Sequence, residues 1–228
     1  PLAFVFAGAC ALASFGMGNM AQTNSIAQTL DGSFGIPPIV TGIVLCVLIL
    51  FVIFGGIRRV ARVTEKLVPI MAAGYLAACA VILIVCRDQL GDALRSILNG
   101  AFGIRPAAGG ISGALLLNAM QCGVSRGIFT NEAGLGSSVM AHAGSDGKDP
   151  VEQGMWGIFQ VFLDTIVMCT VTALVILCTG VLSTGLDGAY LSAAAFTSVC
   201  GDAGAILVSV SIALFAFATL LGWSYYGE

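Results

Sequence analysis

Long apolar runs separated by short polar segments dominate the chain. Five of them approach or exceed the roughly 20 residues that a helix needs to cross a bilayer, and they lie at about 2–30, 39–57, 67–86, 154–182 and 203–226. A sixth run, at 107–142, is interrupted by glycines and charges. The pattern predicts an all-α membrane protein with about six transmembrane elements, all in one transmembrane domain covering residues 1–228.

The interrupted element contains the stretch Gly123-Val-Ser-Arg-Gly-Ile-Phe-Thr-Asn-Glu-Ala-Gly-Leu-Gly-Ser-Ser138. We interpret it as two half-helices joined by irregular backbone at membrane depth. Such backbone persists only where protein or a water-filled cavity satisfies its N–H and C=O groups. Because many secondary transporters build substrate sites in this way, this stretch is the predicted functional centre.

Polar side chains inside the other spans are the next candidates. Asn19, Gln22 and Thr23 recur at helical spacing, so they can share one face. They could line a cavity or serve as hydrogen-bonding contacts between helices. Asp164 is an intramembrane carboxylate and therefore a functional candidate, although it could equally be a structural partner of helix-end donors or of Arg126.

Composition narrows the class further. Hydrophobic residues make up 58% of the chain and charged residues 9%, with a net charge of −3. No basic patch for nucleic acid is present. The eight cysteines form no C-x-x-C pair and are expected to be mostly small buried residues. The single histidine, His142, has no second ligand nearby, so we predict no metal site and no cofactor.

Charge also predicts orientation. Arg58, Arg59, Arg62 and Lys66 crowd the connection 58–66, which marks it as a cytoplasmic loop. A role in binding lipid headgroups or a calmodulin-like partner is the alternative explanation. Alternation of the spans then places the loop 143–152 on the cytoplasmic side as well, and Asp149-Pro-Val-Glu152 has the form of a helix start.

The chain begins and ends within or directly after apolar sequence, at Pro1 and Glu228. We therefore expect it to be an internal fragment whose N- and C-terminal helices are missing.

Three motifs resemble one known family in order along the chain. They are Gly123-x-x-Arg-Gly-x-Phe-Thr-Asn-Glu-Ala-Gly-x-Gly-Ser137, Ser14-Phe-Gly-Met-Gly-Asn-Met-Ala-Gln22, and Ala216-Phe-Ala-Thr-Leu-Leu-Gly-Trp-Ser-Tyr-Tyr-Gly-Glu228. Together they resemble the sodium:alanine symporters, also called the alanine or glycine:cation symporter family. The resemblance implies a LeuT-like inverted-repeat fold of the APC type, of which this chain would be a part without the first broken helix.

The resemblance also implies a set of site residues. Asn19, Gln22, Gly123, Thr219 and Trp223 would bind substrate, with Trp223 as an apolar wall and the hydroxyl of Thr219 as a candidate Na⁺ ligand. Backbone opened at glycines 123, 127, 134 and 136 would offer N–H donors to a substrate carboxylate. The remaining candidates, Arg126, Asn131, Glu132 and Asp164, would hold the broken helix and its gate, with Arg126 paired to Glu132.

The implied function is symport of a small neutral amino acid, alanine or glycine, with Na⁺ across the cytoplasmic membrane by alternating access. Coupling to protons is the nearest alternative. An ion channel would need rings of pore-lining groups, and an intramembrane protease would need a serine–histidine or aspartate pair on separate helices, neither of which stands out. We therefore predict that the chain is not an enzyme.

Overall fold

The computed structural model of this chain describes residues 2–54, 57–102, 110–132, 135–145, 147 and 149–227. Within those ranges every regular element is a helix, which confirms the predicted all-α class. We number the helices in chain order: α1 Leu2–Phe34, α2 Pro38–Ile53, α3 Ile57–Val85, α4 Arg87–Phe102, α5 Gly110–Asn131, α6 Ser138–Ala143, α7 Pro150–Thr179 and α8 Gly188–Tyr226.

Four of these helices are long and apolar enough to cross a membrane. They are α1, α7, α8 and the part of α3 from Arg62 to Val85, while α2 is a shorter apolar helix. Many large apolar side chains on them are exposed on the isolated chain, as lipid-facing residues would be. The chain thus fits a multi-pass membrane protein, and the count of six transmembrane elements stays a prediction.

Two of the long helices contain a wide π-helical segment. In α1 it covers Ser14–Met20, and in α7 it covers Phe162–Met168. A π-helical turn frees backbone groups from the regular hydrogen-bond ladder and is frequent at functional sites. Asn19 and Asp164, both predicted site residues, fall inside these two segments.

Local sequence signals account for several helix ends. Gly35 adopts φ 64° and closes α1, and Pro37 precedes the first residue of α2. Asp149 caps α7 by accepting a 2.8 Å hydrogen bond from the Val151 N–H, with Pro150 at the first helical position. Gly201, at φ 59° and ψ −149°, interrupts α8 just before residue 203, where the last span is predicted to begin.

The structure differs from the sequence prediction at three points. The basic segment 58–66 is not a loop but the first turns of α3, which runs without a break from Ile57. The second span ends at Ile53 rather than near residue 57, although residues 55 and 56 lie outside the described ranges. Four of the eight cysteines, at positions 46, 122, 169 and 200, are exposed rather than buried.

The chain divides into two compact units, which we describe separately. The first comprises Pro1–Val85 and Thr179–Glu228, and the second comprises Cys86–Cys178. In the first unit α8 packs along α1, α2 and α3.

The core of the first unit is built by residues from three helices. Ile26 of α1, Leu45 of α2, and Ala216 and Leu220 of α8 form one buried cluster. On the α3 side, the ring of Tyr75 lies 5.6 Å from that of Phe196 and 6.0 Å from that of Phe215.

Candidate functional site

Helices α1 and α8 form an antiparallel pair that brings several predicted site residues to one place. At one end Ser14 lies beside Gly227, and at the other the Ser33 and Ser209 hydroxyls are hydrogen-bonded at 2.5 Å. Between them, Gly18 contacts Trp223 and Ile26 packs with Leu220 and Ala216. As residue numbers rise along α1, the numbers of the contacting residues in α8 fall by about the same amount, so the register is constant along the pair.

This register places Gln22 and Thr219 at the same level of the pair. Gln22 is one turn beyond Gly18 on α1, and Thr219 is one turn before Trp223 on α8. Since both helices rise about 1.5 Å per residue, the two side chains are displaced from the Gly18–Trp223 contact by similar amounts in the same direction. Both are half-buried, as is Asn19, whereas Asn24 is exposed.

The contact between Gly18 and Trp223 is unusually close. A Cβ atom built at position 18 would lie 2.8 Å from the Cβ of Trp223 and closer still to its indole ring. The indole is only 2% exposed and meets Tyr226 edge-on, with ring centroids 5.4 Å apart. The absence of a side chain at Gly18 therefore allows the tryptophan to lie directly on the π-helical segment of α1.

Thr219 has free acceptor capacity. Its Oγ1 donates a 2.9 Å hydrogen bond to the carbonyl of Phe215 one turn earlier in α8. A hydroxyl that donates its proton to the helix keeps its oxygen lone pairs for another partner. The oxygen is thus suited to a hard cation, which prefers oxygen ligands.

In the second unit, the break between α5 and α6 is organised by Glu132. This residue adopts φ 56°, a left-handed conformation that is costly for a residue other than glycine. Its carbonyl accepts hydrogen bonds from the N–H groups of Leu135 and Gly136, at 3.0 and 2.9 Å. Its carboxylate accepts a 2.9 Å bond from the hydroxyl of Ser137. The predicted break therefore exists, and Glu132 holds it.

The break is shorter than predicted. Gly123 and Gly127 lie inside the regular helix α5 and do not open the backbone, whereas Gly136 does, at φ 75°. Gly134 and the start of the predicted element at 107–109 lie outside the described residues. Glycine permits an open backbone but does not require one, so a regular helix can pass through both positions.

The predicted Arg126–Glu132 ion pair does not form. Arg126 is exposed on α5, and the only ion pairs in the described part of the chain join Arg87 to Asp88 and Arg95 to Asp92. The carboxylate of Glu132 instead accepts the hydrogen bond from Ser137. The π-helical segment that carries Asp164 packs against α5.

A groove of about 950 Å³ lies between the end of α5, α6 and the first turns of α7. Its polar lining includes Asn131, Ser138, His142 and Gln153. His142 Nδ1 and Gln153 Nε2 are hydrogen-bonded at 2.7 Å, which ties α6 to α7. His142 was assigned no role from the sequence, and its contact with Gln153 became visible only in the folded chain.

Comparison with known proteins gives one consistent result. The family model for the sodium:alanine symporters matches residues 1–228. The chain is 42% identical to the sodium/alanine symporter AgcS of Methanococcus maripaludis, over 100% of this chain and 49% of the relative. It is 40% identical to an uncharacterized transporter of Haemophilus influenzae, over 95% and 48% of the two chains, and 38% identical to the amino-acid carrier protein AlsT of Bacillus subtilis, over 94% and 45%. The chain thus spans about half the length of the curated relatives that it matches.

Proposed function

The chain belongs to the sodium:alanine symporter family, a family of transporters rather than enzymes, and from that premise we propose that the protein containing it carries out Na⁺-coupled symport of a small neutral amino acid, alanine or glycine. Transport would cross the cytoplasmic membrane by alternating access. The proposed fold is a LeuT-like inverted repeat, of which the α1–α8 pair and the broken α5–α6 element are parts. Helices outside this chain would complete it.

The observation that carries this proposal is the shared level of Gln22 and Thr219 on the α1–α8 pair, beside the buried Trp223. An amide, a hydroxyl with free lone pairs and an aromatic wall form a small, mostly apolar site with few polar groups, as small-ligand sites usually do. We propose that Asn19, Gln22, Thr219 and Trp223 contact the substrate. We also propose Gly123 of α5 as a substrate-binding residue, because its motif resembles that of the family.

The second unit would supply the gate. We propose that Glu132 and Asn131 stabilise the end of α5. Asp164 and Arg126 are proposed to hold the broken α5–α6 element, which would act as the gate. The segments 58–66 and 143–152 are proposed to lie on the cytoplasmic side, the first as helix rather than loop.

Proton coupling is a second candidate because of one observation. Asp164 lies in the π-helical segment of the long apolar helix α7, and an ionisable residue inside a membrane helix often belongs to a proton pathway.

Uptake into vesicles decides between the two. The full-length protein would be reconstituted and supplied with labelled alanine or glycine under an inward Na⁺ gradient, under K⁺ replacement, or under a proton gradient alone. Concentration of the label with Na⁺ only supports the proposal. Accumulation driven by protons would replace it with the second candidate, and no accumulation of either amino acid would refute the proposed substrate class.

Thr219→Val tests the proposed cation ligand. The substitution keeps the shape of the side chain and removes its oxygen, so we expect the Na⁺ concentration for half-maximal uptake to rise about tenfold or more, the cost of losing one bond to a charged partner. Thr219→Ser, which keeps the oxygen, should stay near the unmodified protein.

Thr197→Val is the matched control. Thr197 also donates to the carbonyl one turn earlier in α8, Ala193, at 2.7 Å, but it is exposed and lies near the other end of the helix. An equal change in Na⁺ dependence for the two valine variants would show that the lost helix hydrogen bond, rather than a cation contact, is responsible.

A further inference from the structure

The first turns of α3 carry an unbalanced positive stripe. Helix α3 is continuous from Ile57, so the angular position of each residue around the helix axis follows from its number. At 3.6 residues per turn, positions 58, 59, 62 and 66 fall within about 100° of arc. All four are occupied by arginine or lysine, and Glu65 is the one acidic residue among residues 57–66.

Two of these charges, on Arg62 and Lys66, are not neutralised by neighbours in the described part of the chain. Arg62 and Lys66 are both exposed and form no ion pair there. The arginines of α4 provide a contrast, because Arg87 and Arg95 each lie within 4 Å of an aspartate oxygen. Arg62 and Lys66 thus leave positive charge available to a partner.

Stability of the helix does not explain the stripe. The N-terminus of a helix carries the positive end of the macrodipole, so cations in the first turns are unfavourable to the helix that carries them. Helix α3 has no acidic residue in its first turn to offset them. An anion at this end would be attracted both by the side chains and by the helix terminus.

The position along α3 identifies the kind of anion. The apolar part from Leu67 to Val85 is about 28 Å long, close to the roughly 30 Å thickness of the hydrocarbon core. If that part spans the membrane, Lys66 lies at the boundary and residues 58–62 extend up to about 12 Å beyond it. This is the layer that phospholipid phosphates occupy, and an anionic surface attracts each basic residue near it.

We propose that the basic stripe of α3, formed by Arg58, Arg59, Arg62 and Lys66, is a docking surface for the headgroups of anionic phospholipids. The inference is independent of the solute that the protein carries and requires only that α3 crosses the membrane. It also differs from a role in setting orientation alone, because it requires bound lipid in the mature, folded protein.

Lipid-dependent stability of the purified full-length protein tests the proposal. Its thermal unfolding midpoint would be followed in neutral detergent during titration with phosphatidylglycerol or with zwitterionic phosphatidylcholine. We expect phosphatidylglycerol to raise the midpoint at lower concentration than phosphatidylcholine. In the Arg62→Gln/Lys66→Gln variant the phosphatidylglycerol titration should move to about 25-fold higher lipid, roughly fivefold per charge. The phosphatidylcholine response should not change.

Two further variants keep the test decisive. Arg87→Gln/Arg95→Gln removes the same charge from α4 and should titrate like the unmodified protein. Glu65→Gln removes the one acid beside the stripe and should move the titration about fivefold toward lower phosphatidylglycerol, a gain that misfolding cannot produce.

Three results would overturn the proposal: an unmoved titration for Glu65→Gln, an unmoved titration for a folded Arg62→Gln/Lys66→Gln, or an equal shift for the α4 control. Inorganic phosphate added at the same concentrations should have no effect. A shift with phosphate alone would identify a site for a soluble anion and would also count against a lipid surface.

Discussion

We expect Gly18→Ala to disable the full-length protein, although it adds a single methyl group. The new Cβ would overlap the indole of Trp223, which is buried and cannot swing into solvent. Overpacking of this kind costs about 1–3 kcal/mol, and the displaced indole would leave its place beside Gln22 and Thr219. We therefore expect a lower thermal unfolding midpoint and a fall in Na⁺-driven uptake of at least about tenfold, which corresponds to 1.4 kcal/mol.

Gly16→Ala is the matched control for that experiment. Gly16 belongs to the same π-helical segment, but a Cβ at position 16 meets nothing within 4 Å. Alanine is also the better helix former by about 1 kcal/mol, so Gly16→Ala should be neutral or slightly stabilising. Equal loss in the two variants would show that the segment tolerates no alanine, and the contact with Trp223 would then not be the cause.

A second substitution can test the contact from the other side. Trp223→Leu should be harmful alone, since it removes a large buried ring, but less harmful in the Gly18→Ala background, where it makes room for the methyl group. The interaction energy from this double-mutant cycle should be of opposite sign to the single losses. Simple additivity would argue that Gly18 and Trp223 are not in contact.

Local features of the fold could be predicted from the sequence because their causes are local. The start of α7 at Asp149-Pro150 depends on a cap and a proline within one turn, and the interruption of α8 depends on the backbone freedom of Gly201. The start of α3 could not be predicted from the basic residues 58–66. Positive charge indicates which side of the membrane a segment lies on, but not whether it is a loop or a helix. Arginine and lysine are good helix formers, so the helix extends through them.

The candidate site was harder to predict because its parts are distant in sequence. Nothing local to Gly18 indicates that Trp223 lies on it, and only the resemblance to a family placed Gln22 and Thr219 in one site. Glu132 illustrates the opposite error. The hypothesis paired it with Arg126, but its backbone is left-handed and its carboxylate bonds Ser137 instead. A positive φ at a glutamate is not visible in sequence.

Gly204→Ala should destabilise the protein strongly, because the new methyl group would collide with backbone atoms. A Cβ at position 204 would lie 2.7 Å from the Cβ of Cys200 and closer still to the carbonyl oxygen of Phe196. The carbonyl belongs to the backbone, so it cannot rotate away as the end of a side chain could. We expect the free energy of unfolding to fall by about 2–4 kcal/mol, measured through the thermal unfolding midpoint.

The close approach of the Phe196 carbonyl to Gly204 is caused by the interruption of α8 at Gly201. The non-helical residue brings the last turn of the short helix onto the first turn of the final span, which places the carbonyl of Phe196 over Gly204. Moving that carbonyl would also move the Phe196 ring, which is buried against Tyr75 of α3. The added methyl group would therefore also disturb packing in the core of the first unit.

Gly222→Ala separates this effect from a general intolerance of alanine in α8. A Cβ at position 222 meets nothing within 4 Å, and its backbone is regular helix, so the variant should unfold at or above the temperature of the unmodified protein. If Gly204→Ala proved equally harmless, the chain around Gly201 would have to run as one straight helix. The carbonyl of Phe196 would then accept a regular intrahelical hydrogen bond and would not contact Gly204.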